Sequence, residues 1–180
     1  MEIKVLHSQT VFHGRVFDVR QDELQMPDGR SASIDVIAHN GAVTMLPIDD
    51  QGMVWFVRQY RHAAGVYLLE LPAGVAEEDE TPEANAQREL REEIGMAARN
   101  MLRIGGFYLA PGYSTEFMHV FLARDLYPSP LPGDENEFLS VEKLPIHQAL
   151  ELAETGQLQD SKSLVALLWA RPHLVKAGLL

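Results

Sequence analysis

The sequence predicts an α+β fold: a mixed β-sheet flanked by helices, with a small β-region ahead of it. Three observations lead there. Short apolar runs broken by turn residues recur from Ile3 to Leu71, which is the pattern of strands. One strongly signalled helix follows, from Thr81 to Gly95, and further strand-like runs come after it. Two helical patterns then close the chain.

Taken in order, Ile3 to Leu6, Val16 to Val19 and Ser33 to Ala38 read as strands, with Pro27-Asp28-Gly29-Arg30 turning the chain into a hairpin. Residues 1–40 are too small for a core of their own, so this β-region is expected to pack on its parent domain or on a partner subunit. Residues 41–180 form the main domain. Val43 to Ile48 and Met53 to Gln59 flank Asp49-Asp50-Gln51-Gly52, a second hairpin signal. Arg58-Gln59-Tyr60-Arg61 follows at a strand end. Its two planar guanidiniums suit the gripping of a phosphate or stacking on a base; the alternative is solvated charge beside a half-buried tyrosine. Tyr67 to Leu71 is a further strand, running through Pro72-Ala73-Gly74 into an acidic loop. Met101 to Leu109 and Glu116 to Ala123 are strands around Ala110-Pro111-Gly112-Tyr113-Ser114-Thr115, and Asp125 to Asp134 is a loop. Phe138 to Lys143 is the last strand. The closing helices run from about Ile146 to Glu154 and from about Lys162 to Ala170, the second ending before Pro172.

The helix at Thr81 carries the chemistry. Thr81 can cap it, Pro82 suits its first position, Glu83 meets the favourable end of its dipole, and Gly95 stops it. At helical spacing Glu89, Glu92 and Glu93 fall within roughly a 100° arc, beside an apolar stripe of Ala86, Leu90 and Ile94. Glu89 and Glu93 are like charges one turn apart, and Glu92 and Glu93 lie near the C-terminal end, where negative charge is disfavoured by roughly 0.3–1 kcal/mol each. Arg88 can pair with Glu92, but one arginine does not offset three carboxylates and the neighbouring Glu77, Glu78, Asp79 and Glu80. A hard divalent cation, which takes oxygen ligands, would, so the face reads as a metal site; the alternative is a solvated acidic helix face.

Bulk composition narrows the function classes. A net charge of −11 argues against nucleic-acid or membrane-surface binding, both of which need a basic patch. It also repels any phosphate-rich substrate unless cations intervene. Cysteine is absent, so there is no disulfide framework and no thiolate zinc site. The seven histidines are scattered, with no pair at metal-ligand spacing on a predicted helix. No GxSxG elbow or P-loop occurs. The opening MEIKVLHSQT lacks an apolar signal core, and a cytoplasmic protein is expected.

Gly74, Glu80, Arg88, Glu89, Leu90, Glu92, Glu93, Gly95 and Met96 stand at the spacing of the Nudix box, and the chain resembles Nudix hydrolases. Gln59-Tyr60-Arg61, Glu70 to Gly74, Pro111, Glu116 and Asp134 to Glu137 are similar to the ADP-ribose pyrophosphatase branch, although hydrolases of other nucleotide sugars share some of them. The resemblance implies an α/β/α sandwich and a Mg²⁺-dependent attack of water on a diphosphate, with Mn²⁺ as a substitute cation. It implies that Glu89, Glu93 and the Ala73 carbonyl hold the metal, with Glu92 as a ligand or close support, and that Arg88 orients the glutamates. Metal-bound glutamates are poor proton acceptors, so the resemblance assigns the general base to the Asp134–Glu137 loop, with Glu135 aligning best and Glu137 second. Arg61 and Glu116 are expected to hold substrate, with Arg58 and Tyr113 beside them; Tyr113 lies in a turn where the branch commonly has serine before the proline, a departure that bears on sugar preference. ADP-ribose is the expected substrate, the products being AMP and ribose 5-phosphate, and a homodimer the expected assembly. GDP-mannose or ADP-glucose hydrolysis is the alternative, and a non-catalytic nucleotide sensor the third reading.

Overall fold

The computed structural model describes residues 2–77, 79–133 and 138–180. The chain forms two compact units, Met1–Gly41 with Tyr108–Phe117, and Ala42–Phe107 with Met118–Leu180.

In the smaller unit β1 (Lys4–His13), β2 (Asp18–Gln25) and β3 (Ser31–Ala38) make an antiparallel sheet in that order. The expected turn between β2 and β3 is present: Met26 N–H donates to the Arg30 carbonyl at 2.7 Å, and Gly29 adopts φ +87°, open to glycine at little cost. Tyr108–Phe117 joins this unit because its tip bonds to β3. Ile37 N–H donates to the Tyr113 carbonyl at 2.7 Å, and Thr115 N–H to the Ile37 carbonyl at 3.0 Å. A boundary drawn at residue 40 from local pattern misses this return, since nothing local marks residues 108–117 as partners of β3.

The larger unit holds two sheets, β7-β4-β9-β8 and β10-β5-β6, built from β4 (Ala42–Pro47), β5 (Met53–Arg61), β6 (Val66–Glu70), β7 (Ala73–Val75), β8 (Met96–Tyr108), β9 (Phe117–Pro128) and β10 (Leu139–Pro145). Its helices are α1 (Pro82–Glu93), α2 (Ile146–Glu154) and α3 (Ser161–Lys176). β4 runs parallel to β9 and antiparallel to β7, so that sheet is mixed. β4 is buried along its whole length, and its side chains alternate between two cores. Ala42 and Leu46 join Val120, Leu122 and the apolar faces of α2 and α3. Val43 and Met45 join Phe121, Ala123 and the Ala86-Leu90-Ile94 stripe of α1. Helices therefore cover both faces of one central strand pair, an α+β sandwich.

Three expectations are corrected. β4 and β5 do not form a hairpin sheet: the Asp49–Gly52 turn forms, but only an Ile48–Val54 bridge links the strands before they enter different sheets. The turn is fixed by the Asp49 carboxylate, which accepts from Gln51 N–H, Met53 N–H and Trp55 Nε1–H, while β4, buried on both faces, pairs with β9. β9 extends to Pro128 rather than ending near Ala123. α3 runs through Pro172 to Lys176, because the burial of Leu174 beyond the proline offsets the lost hydrogen bond. Among the described residues no helix is long and apolar enough to cross a membrane.

Candidate active site

The site is assembled where α1 lies against β7. Thr81 caps α1 by accepting from Ala84 N–H at 3.2 Å, Pro82 begins the helix, and Gly95 ends it at φ +69°. This fixes the helical phase and sends Glu89 and Glu93 toward β7. Both are only 9% exposed. Glu93 accepts from Ala73 N–H at 3.1 Å. Gly74 has no room for a side chain, because a Cβ there would stand 2.0 Å from the Glu89 carboxyl carbon. That glycine is thus a contact requirement of Glu89 and not a turn device. β7 itself is held by pairing with β4 and by the Pro72 carbonyl, which accepts from Met45 N–H and the Thr44 hydroxyl.

Arg88 organises the remaining acids. Its guanidinium lies 2.8 Å from Glu89 and Glu92, 3.1 Å from Glu80 and 3.4 Å from Glu77. Burial works against its charge, yet the carboxylates of Glu89, Glu80 and Glu92 hold its pKa above the ordinary arginine value. Asn85 ties the preceding loop to the helix by donating to the Val75 carbonyl at 3.1 Å and to Glu80 at 3.2 Å. Glu92 is consequently turned to Arg88, Glu89 both pairs with Arg88 and lies against Gly74 of β7, and Glu93 meets Ala73 of β7. Among the described residues no three acidic or histidine side chains are gathered into one metal-holding group. The donor set nevertheless fits a hard cation: two buried carboxylates beside a backbone strand match the way Mg²⁺ binds, through one or two protein carboxylates with waters and substrate phosphates completing its shell.

Arg61 sits at the end of β5 in a bidentate pair with Glu70, at 2.7 and 2.6 Å. Glu70 is 1% exposed and also receives Lys162 from the first turn of α3. Asp160 caps α3, accepting from Ser163 N–H, and pairs with Lys162 at 3.0 Å; the Ser163 hydroxyl in turn accepts from Leu71 N–H at 2.7 Å. The Arg61 pKa is raised, chiefly by its hydrogen bonds to Glu70, with the charges of Asp160 and Glu93 adding to them. Of the α1 carboxylates it is Glu93 whose charge reaches Arg61. Sequence reasoning missed Glu70, Asp160, Lys162 and Ser163 as parts of this assembly. The signal was a cluster of polar residues opening a helix that is otherwise apolar.

Arg58 pairs across strands with Glu142 of β10, its Nη2 at 3.1 Å, and is tied to the sheet. Tyr113 and Glu116 belong to the smaller unit. Tyr113 is 60% exposed, and Glu116 N–H donates to the Ser114 hydroxyl at 3.1 Å. Glu135 and Glu137 lie outside the described residues.

The chain is 34% identical over 169 residues to an ADP-ribose pyrophosphatase of Bacillus subtilis, covering 93% of this chain and 91% of that one. It is 31% identical over 182 residues to a GDP-mannose pyrophosphatase of Yersinia pestis, covering 93% and 87%. The crystal structure of an ADP compounds hydrolase superposes with a TM-score of 0.89 at 28% identity, covering 100% of this chain and 98% of that one. Residues 3–34 match the nucleoside diphosphate sugar hydrolase N-terminal domain. Residues 38–167, well over half of the chain, match the NUDIX domain, and the chain belongs to that family.

Proposed function

We propose that this chain is a Mg²⁺-dependent pyrophosphatase that cleaves ADP-ribose to AMP and ribose 5-phosphate. The observation that carries the reading is the buried pair Glu89 and Glu93, held against Ala73 and Gly74. Glu89, Glu93 and the Ala73 carbonyl would hold the cation, with Glu92 and Arg88 fixing the glutamates from behind. Mn²⁺ would substitute. When bound, the cation neutralises the diphosphate, polarises phosphorus and lowers the pKa of a bound water. One P–O bond forms from water and the bond to the bridging oxygen breaks. A proton leaves the attacking water, and we assign its acceptance to Glu135, with Glu137 as second candidate. Arg61, which is paired with Glu70, is assigned to substrate phosphate or adenine, and Arg58, Tyr113 and Glu116 are assigned to substrate as well. Phosphoanhydride hydrolysis needs positioning and charge stabilisation more than covalent chemistry, which suits such a donor set.

Hydrolysis of ADP-ribose, GDP-mannose, ADP-glucose and NADH, with Mg²⁺ and with chelator, tests the reading by chromatography of products. Preference for ADP-ribose, abolished by chelator, is expected. The likeness to a GDP-mannose pyrophosphatase supports a second reading, hydrolysis of other nucleotide sugars, and preference for GDP-mannose would establish it in place of the first. Tight nucleotide binding without turnover would make the chain a sensor.

The same reading makes the enzyme a cytoplasmic homodimer with residues 1–40 at the contact. Its support is β1, exposed along its length with Val5, Leu6, Val11 and Phe12 each more than half exposed. Light scattering should give twice the 20.1 kDa chain mass, and a monomer mass would remove the contact from the proposal.

A further inference from the structure

A cavity of about 310 Å³ opens in the larger unit among Asn100, Leu102, Leu122, Arg124, His173 and Lys176. Its lining follows from the periods of its elements. Asn100 and Leu102 share one face of β8, Leu122 and Arg124 one face of β9, and His173 and Lys176 stand three apart in the last turn of α3. Leu122 belongs to the core under α2 and α3, whereas its neighbours Phe121 and Ala123 belong to the core under α1. The cavity is therefore on the sheet face opposite α1 and its glutamates.

Its charge runs against that of the chain. Lysines and arginines number 15 against 26 acids, yet among the described residues no acid lines this cavity. Among the described residues Arg124, His173 and Lys176 enter no ion pair. His173 and Lys176 complement the C-terminal end of α3. Arg124 comes from a strand, and the helix end gives no reason for it to be there.

We infer that this cavity is a binding site for a small phosphomonoester, separate from the site at α1. A phosphomonoester carries about −1.5 to −2 charges at neutral pH and three acceptor oxygens, which matches a guanidinium, an ammonium and an imidazole around one space. The volume lies at the small end of ligand cavities, roughly 300–1,000 Å³, so it suits a phosphate with a short organic body. Leu102 and Leu122 offer that body apolar contact, and the Asn100 amide can bond a hydroxyl. The inference does not depend on which nucleotide sugar the enzyme cleaves.

Calorimetric titration of the full chain in chelator, with glycerol 3-phosphate and with inorganic phosphate, tests it. Saturable binding of the ester at one per chain is expected. It should weaken roughly tenfold or more in Arg124→Gln/Lys176→Gln. Asn100→Asp, at an exposed position, should weaken it independently by setting a carboxylate against the phosphate. Glu93→Gln should bind as the parent does, and the cavity variants should keep full nucleotide-sugar hydrolysis. Absence of saturable binding, binding unaffected by the cavity variants, loss of binding in Glu93→Gln, or binding of inorganic phosphate alone would each overturn the assignment.

Discussion

Glu93→Gln is expected to lower kcat by about 10²–10³-fold while leaving the fold intact, the loss typical of removing one preorganised charge-stabilising group. The substitution conserves size, and the amide oxygen can still accept from Ala73 N–H, which the Glu93 carboxylate now does at 3.1 Å. Only the charge is lost. That charge stands near the C-terminal end of α1, where it opposes the helix dipole, so its removal should leave stability unchanged or raise it by roughly 0.3–1 kcal/mol. Activity and stability then move in opposite directions, the behaviour of a residue kept for function. Gly74→Ala supplies the contrast. Its Cβ would meet the Glu89 carboxylate oxygen at 2.1 Å, so the carboxylate must shift and both activity and stability should fall, the latter by about 1–3 kcal/mol. Steady-state kinetics beside thermal unfolding separate the two patterns. Unchanged turnover in Glu93→Gln would refute the assignment of Glu93 to the reaction.

The parts of this site legible in the sequence are those fixed by local rules. Thr81, Pro82 and Gly95 bound α1 through capping chemistry, and helical spacing alone puts Glu89 and Glu93 on one face beside the Ala86-Leu90-Ile94 stripe. The illegible parts depend on partners distant in sequence. The Asp49–Gly52 turn signalled a hairpin, but burial of both faces of β4 drew it to β9, and the strands after the turn diverged. Pro172 signalled a helix end, but packing of Leu174 carried α3 past it. Gly105 is the floor under Trp169, whose ring would stand 2.4 Å from a Cβ there, and nothing in the local sequence marks that contact. Arg61 drew notice as a substrate residue, but its partner Glu70 and the cation Lys162, 92 residues from Glu70, are joined only by the fold.

That buried assembly should dominate stability. Glu70→Gln leaves Arg61 and Lys162 facing a neutral amide, one of whose groups is a donor pointed at donors. Lys162 keeps Asp160 as a partner, but at 7% exposure it cannot turn to water. Removing one member of such a buried pair costs about 3–5 kcal/mol, and at roughly 2–4 °C per kcal/mol for a chain of this size the melting temperature should fall by some 6–20 °C. Glu70→Gln combined with Lys162→Met should be less damaging than the sum of the two, because the second change removes a cation that the first left stranded. Acid should reproduce part of the effect. Burial pushes the Glu70 carboxyl up, but the Arg61 hydrogen bonds and the Lys162 charge outweigh it and hold the group below the usual carboxylate range. Its contribution is then fully present above the unfolded glutamate value, about 4.3, and is lost as pH falls through the lower folded value. The gap in denaturant midpoint between the parent and Glu70→Gln should be wide at neutral pH and narrow progressively below about pH 4. A gap that stayed constant to acid pH would mean that Glu70 acts by shape and not by charge, and Arg61 would then owe its orientation to packing alone.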